Sequence, residues 1–278
     1  MYPDREAPAK ETLPARERRR PVAVMVFGSL LAALVIGGVF LWFSYGDRAG
    51  GTETFEDSVE SGAEPVVSLT NGRGKVRVQG VEGLETVEIS ARRYARGFNS
   101  TSAKENAAEV PVEVSNEASV EISSGGGEGT GVDYDLEVPT GSAVEVESKA
   151  GDVEVSGLDG DVTVRGERGD ISLQDLQGSA SIQAAQGDIS VETVNTKTGS
   201  AEITVGSGDV NLKDLVIGIL EARVETGDVA LSGRFSGSGS VLVETGGIDV
   251  RLPFEDVKDL DLETRVGEVV RSDKQEAE

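Results

Sequence analysis

The chain has 278 residues, with 26 Lys/Arg against 50 Asp/Glu and neither cysteine nor histidine. That excludes disulfides, thiol nucleophiles, imidazole bases and Cys/His zinc sites, and leaves carboxylates, hydroxyls, Lys and Arg for any chemistry. A formal net charge of −24 repels nucleic acid and anionic headgroups, so no nucleic-acid partner is expected.

Residues 1–21 form a short arm of mixed charge with Pro3, Pro8 and Pro14, too short to fold alone. The run VAVMVFGSLLAALVIGGVFLWF, Val22 to Phe43, holds no charged residue. As a helix it is roughly 33 Å long, enough to cross a bilayer's hydrocarbon core. The pattern predicts an uncleaved transmembrane helix over 22–45. A signal-peptide core is shorter and ends at a small-residue cleavage site, which this run lacks. Arg16, Arg18, Arg19 and Arg20 precede it, so the positive-inside rule predicts a cytoplasmic N-terminus and an extracytoplasmic remainder. Trp42, Phe43 and Tyr45 suit the outer interface.

Charge divides at this segment. Residues 46–278 carry 20 Lys/Arg and 46 Asp/Glu. Residues 46–64 are rich in Gly, Thr and acids and predict a flexible tether with a reach of roughly 24 Å. Residues 65–140 predict irregular β-strands that cap the repetitive region C-terminal to them. VVSL, KVRVQ, ETVEIS, VPVEVS and SVEIS each alternate apolar and polar residues between turn signals. SAKENAAEV at 102–110 predicts one or two helical turns, and SSGGGEGTG at 123–131 a loop.

Residues 141–270 repeat. Gly-Asp pairs open successive units at Gly151-Asp152, Gly169-Asp170, Gly187-Asp188, Gly208-Asp209 and Gly227-Asp228, and Gly246-Gly247 stands where a sixth would fall. The steps are 18, 18, 21, 19 and 19 residues, and each unit splits into halves of about nine. Inward candidates of the first halves are Val153/Val155, Ile171/Leu173, Ile189/Val191, Val210/Leu212 and Val229/Leu231. A corner residue comes next at Leu158, Leu176, Val194 and Leu215. A short repeat of this kind marks units that bury their apolar faces only by stacking. The expected fold is all-β: a parallel β-solenoid with two strands per 18–21-residue coil, preceded by irregular strands and one transmembrane helix. Five to six coils give a rod of about 27 Å. An antiparallel meander of nine-residue hairpins is the competing arrangement. Pro253, Asp256, Lys258, Asp259, Asp261 and Glu263 guard the far end against strand addition. Residues 271–278 form a solvated, disordered tail.

Two assignments compete for the ladder Asp152, Asp170, Asp188, Asp209 and Asp228. Carboxylates stacked at roughly 5 Å repel, so something must offset them. Either each accepts turn N–H groups as an Asx-turn, or the row binds Ca²⁺. Calcium β-rolls need a denser Gly-Gly-x-Gly-x-Asp pattern than this chain has, so turn capping is favoured and no metal or other cofactor is implied. Gly151, Gly169, Gly187, Gly208, Gly227 and Gly246 serve as structural turn residues. Acid pairs also serve glycosidases, but here the acids are evenly spread and aromatics are scarce, so no catalytic residue is assigned. Arg92, Arg93, Tyr94 and Arg96 form a basic–aromatic cluster, most simply paired with surrounding acids.

The segment YDLEVPTGSAVEVESKAGDVEVSGLDGDVTV, its repeats, and the closing GGIDVRLP and LDLETRVGEV resemble the bacterial putative-adhesin family of β-strand-repeat, membrane-anchored proteins. The likeness covers roughly residues 66–270. It implies a cell-surface, adhesive role, and some members are tied to envelope-stress signalling. The family has no agreed catalytic residues to carry over. This chain departs from the pattern at Arg234 in a corner Leu slot, at Ile219 where Asp or Ser usually stands, and at Gly247. The expected function is a non-enzymatic surface module that meets a cell-envelope polymer or protein. The alternatives are an envelope-stress regulator acting through a membrane partner and, further off, a polysaccharide-active enzyme.

Overall fold

The computed structural model describes residues 49–116, 119–252 and 259–272. The expected cytoplasmic arm 1–21, the expected transmembrane helix 22–45, the proposed guards Pro253, Asp256 and Lys258, and residues 273–278 lie outside the described residues. Among the described residues no helix is long and apolar enough to cross a membrane.

The described residues form one compact unit. In chain order the first elements are β1 (Ala49–Glu60), β2 (Val66–Asn71), β3 (Val76–Val81), β4 (Thr86–Gly97), α1 (Ser100–Ala108), β5 (Val112–Asn116), β6 (Val120–Ser124) and β7 (Thr130–Pro139). The repeat supplies β8 (Ala143–Ser148), β9 (Val153–Ser156), β10 (Val162–Arg168), β11 (Ile171–Leu176) and β12 (Ala180–Gln186). Three long strands come next: β13 (Ile189–Ser207), β14 (Val210–Thr226) and β15 (Val229–Thr245). The last are β16 (Ile248–Arg251), β17 (Leu260–Val266) and β18 (Val269–Arg271).

Successive halves stack on their own kind, in parallel. One sheet runs β6, β2, β8, β10, β12, the second halves of β13, β14 and β15, then β17. The other runs β7, β3, β9, β11, the first halves of β13, β14 and β15, then β16 and β18. This is a two-strand-per-coil parallel solenoid, and the antiparallel meander is excluded. Because strand side chains alternate, each rung sends one set inward. Ile171 aligns with Val153 on one side and Ile189 on the other, and Ile182 with Val164 and Ile203. These residues join one continuous core. No unit could shield this surface alone, so stacking stabilises each rung at about 25 cal/mol per Å² of apolar area covered.

The solenoid starts earlier than residue 141, and its order is not sequential. β2 and β3 already form a rung. That rung lies between the later β6/β7 rung and the β8/β9 rung. VVSL and KVRVQ therefore belong to a coil rather than to a separate cap. Their alternation matches the later repeats, but no Gly-Asp pair announces them.

The cap is made by antiparallel strands. β4 pairs with β7, β1 pairs with β4, and β5 pairs with β6. The stretch 46–64 thus contains a strand where a tether was expected. Phe55 and Val59, two apolar residues in phase, pack against the core and hold it there. α1 begins at Asn99, whose side chain accepts Ser102 N–H while the Ser102 hydroxyl accepts Asn99 N–H, a reciprocal cap. Its buried Ala103 sits against Gly51 and Gly97, where a β-carbon would fall 2.3 and 2.4 Å from Ala103 backbone atoms. Residues 123–131 are a corner of the β6/β7 rung: Gly72 and Gly126 touch backbone to backbone.

The slot that Arg234 was expected to occupy is filled by Phe235. Phe235 aligns with Leu215 and is buried, because the register shifts by one residue after Lys213. Arg234 is left exposed, with its N–H donated to Asp214 Oδ1 at 2.9 Å. The longer units accommodate their extra residues by similar register shifts, at Thr196/Ser200 and Val216/Ile219.

Candidate functional site

The Gly-Asp pairs form one corner of the coil, stacked rung upon rung. The turn glycines have φ of 136° (Gly151), 127° (Gly169), 137° (Gly187), 148° (Gly208), 146° (Gly227) and 140° (Gly246), a region closed to most side chains. Each also lies flat on the one before: a β-carbon at Gly187 would fall 2.0 Å from Gly169 O, and one at Gly208 2.0 Å from Gly187 O. Gly74 and Gly267 extend the same column at either end, with φ of 126° and 154°. Sequence reading missed both, because Lys75 and Glu268 stand after them instead of Asp.

The aspartates bond between rungs, not within their own turn. Asp152 Oδ1 accepts Asp170 N–H at 3.1 Å, and Asp170 Oδ1 accepts Asp188 N–H at 2.9 Å. Asp188 Oδ1 accepts Asp209 N–H at 2.9 Å, Asp209 Oδ1 accepts Asp228 N–H at 2.8 Å, and Asp228 Oδ1 accepts Gly247 N–H at 2.7 Å. Each carboxylate thus reaches one rung along the axis and satisfies the corner N–H that ladder pairing leaves over. This corrects the Asx-turn expectation. An Asx-turn serves a lone turn, whereas here the next coil brings its own amide closer. Asp133 does the same for Lys75 N–H at 3.0 Å. With Gly247 the relay ends. The sequence signal for the relay was present in the recurring Gly-Asp pair; its axial direction was not.

The opposite corner has a shorter relay, in which Asp161 Oδ1 accepts Ser179 N–H at 2.8 Å and Ser179 Oγ accepts Ser200 N–H at 3.4 Å. Ile219 aligns with Ser200, offers no acceptor, and stands exposed. After each first-half strand a left-handed residue turns the chain: Gly157, Asp175, Thr193, Asp214 and Gly233, with φ of 71°, 54°, 58°, 53° and 85°. Two Asp and one Thr there are the kind of unglycined positive φ that periodicity cannot flag.

Cations cluster near the capped end. Lys75 Nζ lies 2.5 Å from Glu154 Oε1 and Arg77 Nη2 3.0 Å from Glu154 Oε2. The Lys75 hydrogen bond, with Arg77 behind it, holds the Glu154 carboxyl below the usual range. Arg92 pairs with Asp133 at 2.7 Å, which raises its guanidinium further. The expected Arg92–Arg96 cluster is split by strand alternation. Arg93 turns to the opposite face from Arg92 and donates to Ala108 O, at the end of α1, at 3.1 Å. Tyr94 is part-buried, and that burial pushes its hydroxyl upward.

A small polar group of residues enters the core here. Asn71 is fully buried; its Nδ2 donates to Gly74 O at 3.0 Å and Val132 O at 3.1 Å, and its Oδ1 accepts from Ser124 Oγ at 3.0 Å. Asn71, Ser124 and Ser148 share one column, which becomes Ala184, Val205 and Val224 further along. Tyr134 is buried on the facing sheet, and its hydroxyl has no protein partner among the described residues.

Elsewhere the surface is a lattice of exposed acids, hydroxyls and short ion pairs, such as Arg165 with Glu145 and Lys213 with Glu192. Among the described residues no three acids converge as a metal site would require.

Two parallel sheets wound from one chain, locked along their corners by stacked glycines and closed at one end by antiparallel strands, define a capped β-solenoid. The chain belongs to the Toastrack DUF4097 family, whose profile matches residues 68–278. No curated protein matches it. Among solved structures it is similar to a putative adhesin from Bacteroides fragilis, at 13% identity and a TM-score of 0.56, over 79% of this chain and 97% of that one. A putative adhesin from Parabacteroides distasonis shares 17% identity at a TM-score of 0.46, over 82% and 98%. A putative cell adhesion protein from Clostridium sporogenes shares 12% at 0.39, over 80% and 100%.

Proposed function

We propose that this protein is a non-enzymatic surface-display module: an extracytoplasmic solenoid, anchored through Val22–Phe43 with its N-terminus in the cytoplasm, that adheres to a cell-envelope polymer or protein. The observation that carries this is the evenness of the outer face. Its ladder aspartates are engaged in holding rungs together, and among the described residues its other acids are spread along both sheets and form no metal-holding group. A repetitive strand surface suits many weak, equivalent contacts along a polymer, where avidity replaces a single deep pocket. The adhesin name of the Bacteroides fragilis neighbour agrees with this reading.

The test is retention of the full chain, in detergent micelles, on immobilised wall polymers and on captured envelope proteins. An unrelated solenoid of equal net charge serves as the control. Binding above that control supports adhesion. Binding no greater than the control, on every surface, overturns it.

A further inference from the structure

The two ends of the solenoid are unlike. At one end β1 and β5 are short of apolar surface: β1 carries Glu53, Glu56, Asp57 and Glu60, and β5 has five residues and comes after Pro111. These are ordinary defences of a sheet edge. At the other end, among the described residues, β17 pairs only with β15 and β18 only with β16.

The last rung also breaks the polar pattern of the repeat. Val266 aligns with Thr245, which aligns with Thr226, Ser207 and Gln186 in turn. Those four rungs are polar at that place. Val270 aligns with Asp249, in a column that holds Ala230, Asn211 and Ser190 further back. Val266 is 64% exposed, Val270 50% and the core-column Val269 36%. An unfinished core would expose Val269 alone. Val266 at a place kept polar in those four rungs, with Val270 beside Asp249, makes this end more apolar than the repeat behind it.

β17 reads Leu260-Asp261-Leu262-Glu263-Thr264-Arg265-Val266 and is self-complementary in reverse. Set antiparallel to itself with Thr264 at the centre, it places Glu263 opposite Arg265 twice on the outer face and Leu262 opposite Val266 twice on the inner face. Thr264 then meets Thr264. Opposite charges, apolar pairs and Thr–Thr pairs are the favoured cross-strand neighbours. The parallel edge offers N–H and C=O groups to an incoming antiparallel strand, just as β6 accepts β5 at the capped end.

We infer that the terminal rung is a self-association edge. Two copies of this chain join tail to tail about a twofold axis through Thr264, with β17 pairing antiparallel to β17 and Val266, Val269 and Val270 covered at the joint. This goes beyond the adhesion reading and does not depend on any envelope ligand. In the dimer the two β1 strands lie at opposite ends, away from the joint.

The experiment uses the full chain in detergent micelles with no ligand added. Sedimentation should give a concentration-dependent dimer. Because the chain has no native cysteine, Thr264→Cys should form a disulfide-linked dimer under mild oxidation, and Thr163→Cys, outward on a mid-solenoid strand, should not. Glu263→Arg alone and Arg265→Glu alone should each weaken the dimer about tenfold or more, by placing like charges opposite each other twice. The double swap should restore it, and an equimolar mixture of the two single variants should associate. Far-ultraviolet circular dichroism of each variant separates lost pairing from lost folding. A native chain that stays monomeric at the highest attainable concentration, or a double swap as weak as the singles, overturns the inference.

Discussion

Asp188 Oδ1 accepts the backbone N–H of Asp209 at 2.9 Å, one rung further along the axis. The same residue gives its own N–H to Asp170. Every interior member of the ladder is therefore both donor and acceptor, and the row is a chain of charge-assisted hydrogen bonds as well as a row of like charges.

Asp188→Ala should destabilise the fold by about 1 kcal/mol, because the Asp209 amide loses its partner at an exposed corner where water partly replaces it. Asp188→Asn keeps the acceptor and relieves repulsion, so it should fall within about 0.5 kcal/mol of the native chain. Urea midpoints of the three proteins check this ordering.

Calcium should leave the melting temperature unchanged at millimolar concentration. One oxygen of each ladder aspartate is committed to an amide, and among the described residues no group of three acids is placed to hold an ion. A rise of several degrees that chelator reverses would restore the metal assignment.

Gly187→Ala should be severe, at least about 2 kcal/mol and enough to melt neighbouring rungs. It combines a φ of 137° with a β-carbon 2.0 Å from Gly169 O, and neither backbone can move without shifting the stack. Gly50→Ala meets nothing within 4 Å and should be silent. Thermal melts of both variants decide the contrast.

Phe235→Ala should cost about 3–5 kcal/mol, since the ring is the buried corner plug of its rung. Phe235→Leu should cost well under half of that, because Leu158, Leu176 and Leu215 hold the same corner elsewhere. Chemical denaturation measures both.

Tyr134 should make the protein sensitive to alkali. Burial pushes its hydroxyl up. A raised folded-state value means that the stabilising contribution is complete below the unfolded value of about 10 and is lost as pH rises through the folded value. Tyr134→Phe should be within about 1 kcal/mol of native at neutral pH, where the hydroxyl has no protein partner, and should lose less stability than the native chain at alkaline pH. Denaturant curves across that range test the sign.

The repeat was legible because period and alternation are local. Val153, Ile171 and Ile189 announce their column by spacing alone. What spacing could not carry was order in space: β2 and β3 look like any other alternating pair, and only the pairing of Asn71 with both Ser124 and Ser148 reveals that two later rungs embrace them. β1 was hidden for a related reason. Its Gly- and acid-rich sequence lacks strand character, and Phe55 and Val59 matter only once β4 stands beside them. The corner relay shows the same limit: Gly-Asp marked the turn, but the recipient amide is about twenty residues away.

The rung built from Val66–Val81 has a consequence for biogenesis. An ordinary solenoid grows by adding each coil to the one just completed. Here the earliest coil to be synthesised finds both its flanking rungs in residues 120–156, still to be made. Its edges stay bare until some seventy-five further residues have been added, and the rung then closes between two later ones. Synthesis speed and holding chaperones, more than intrinsic coil stability, would then govern how much of this protein matures.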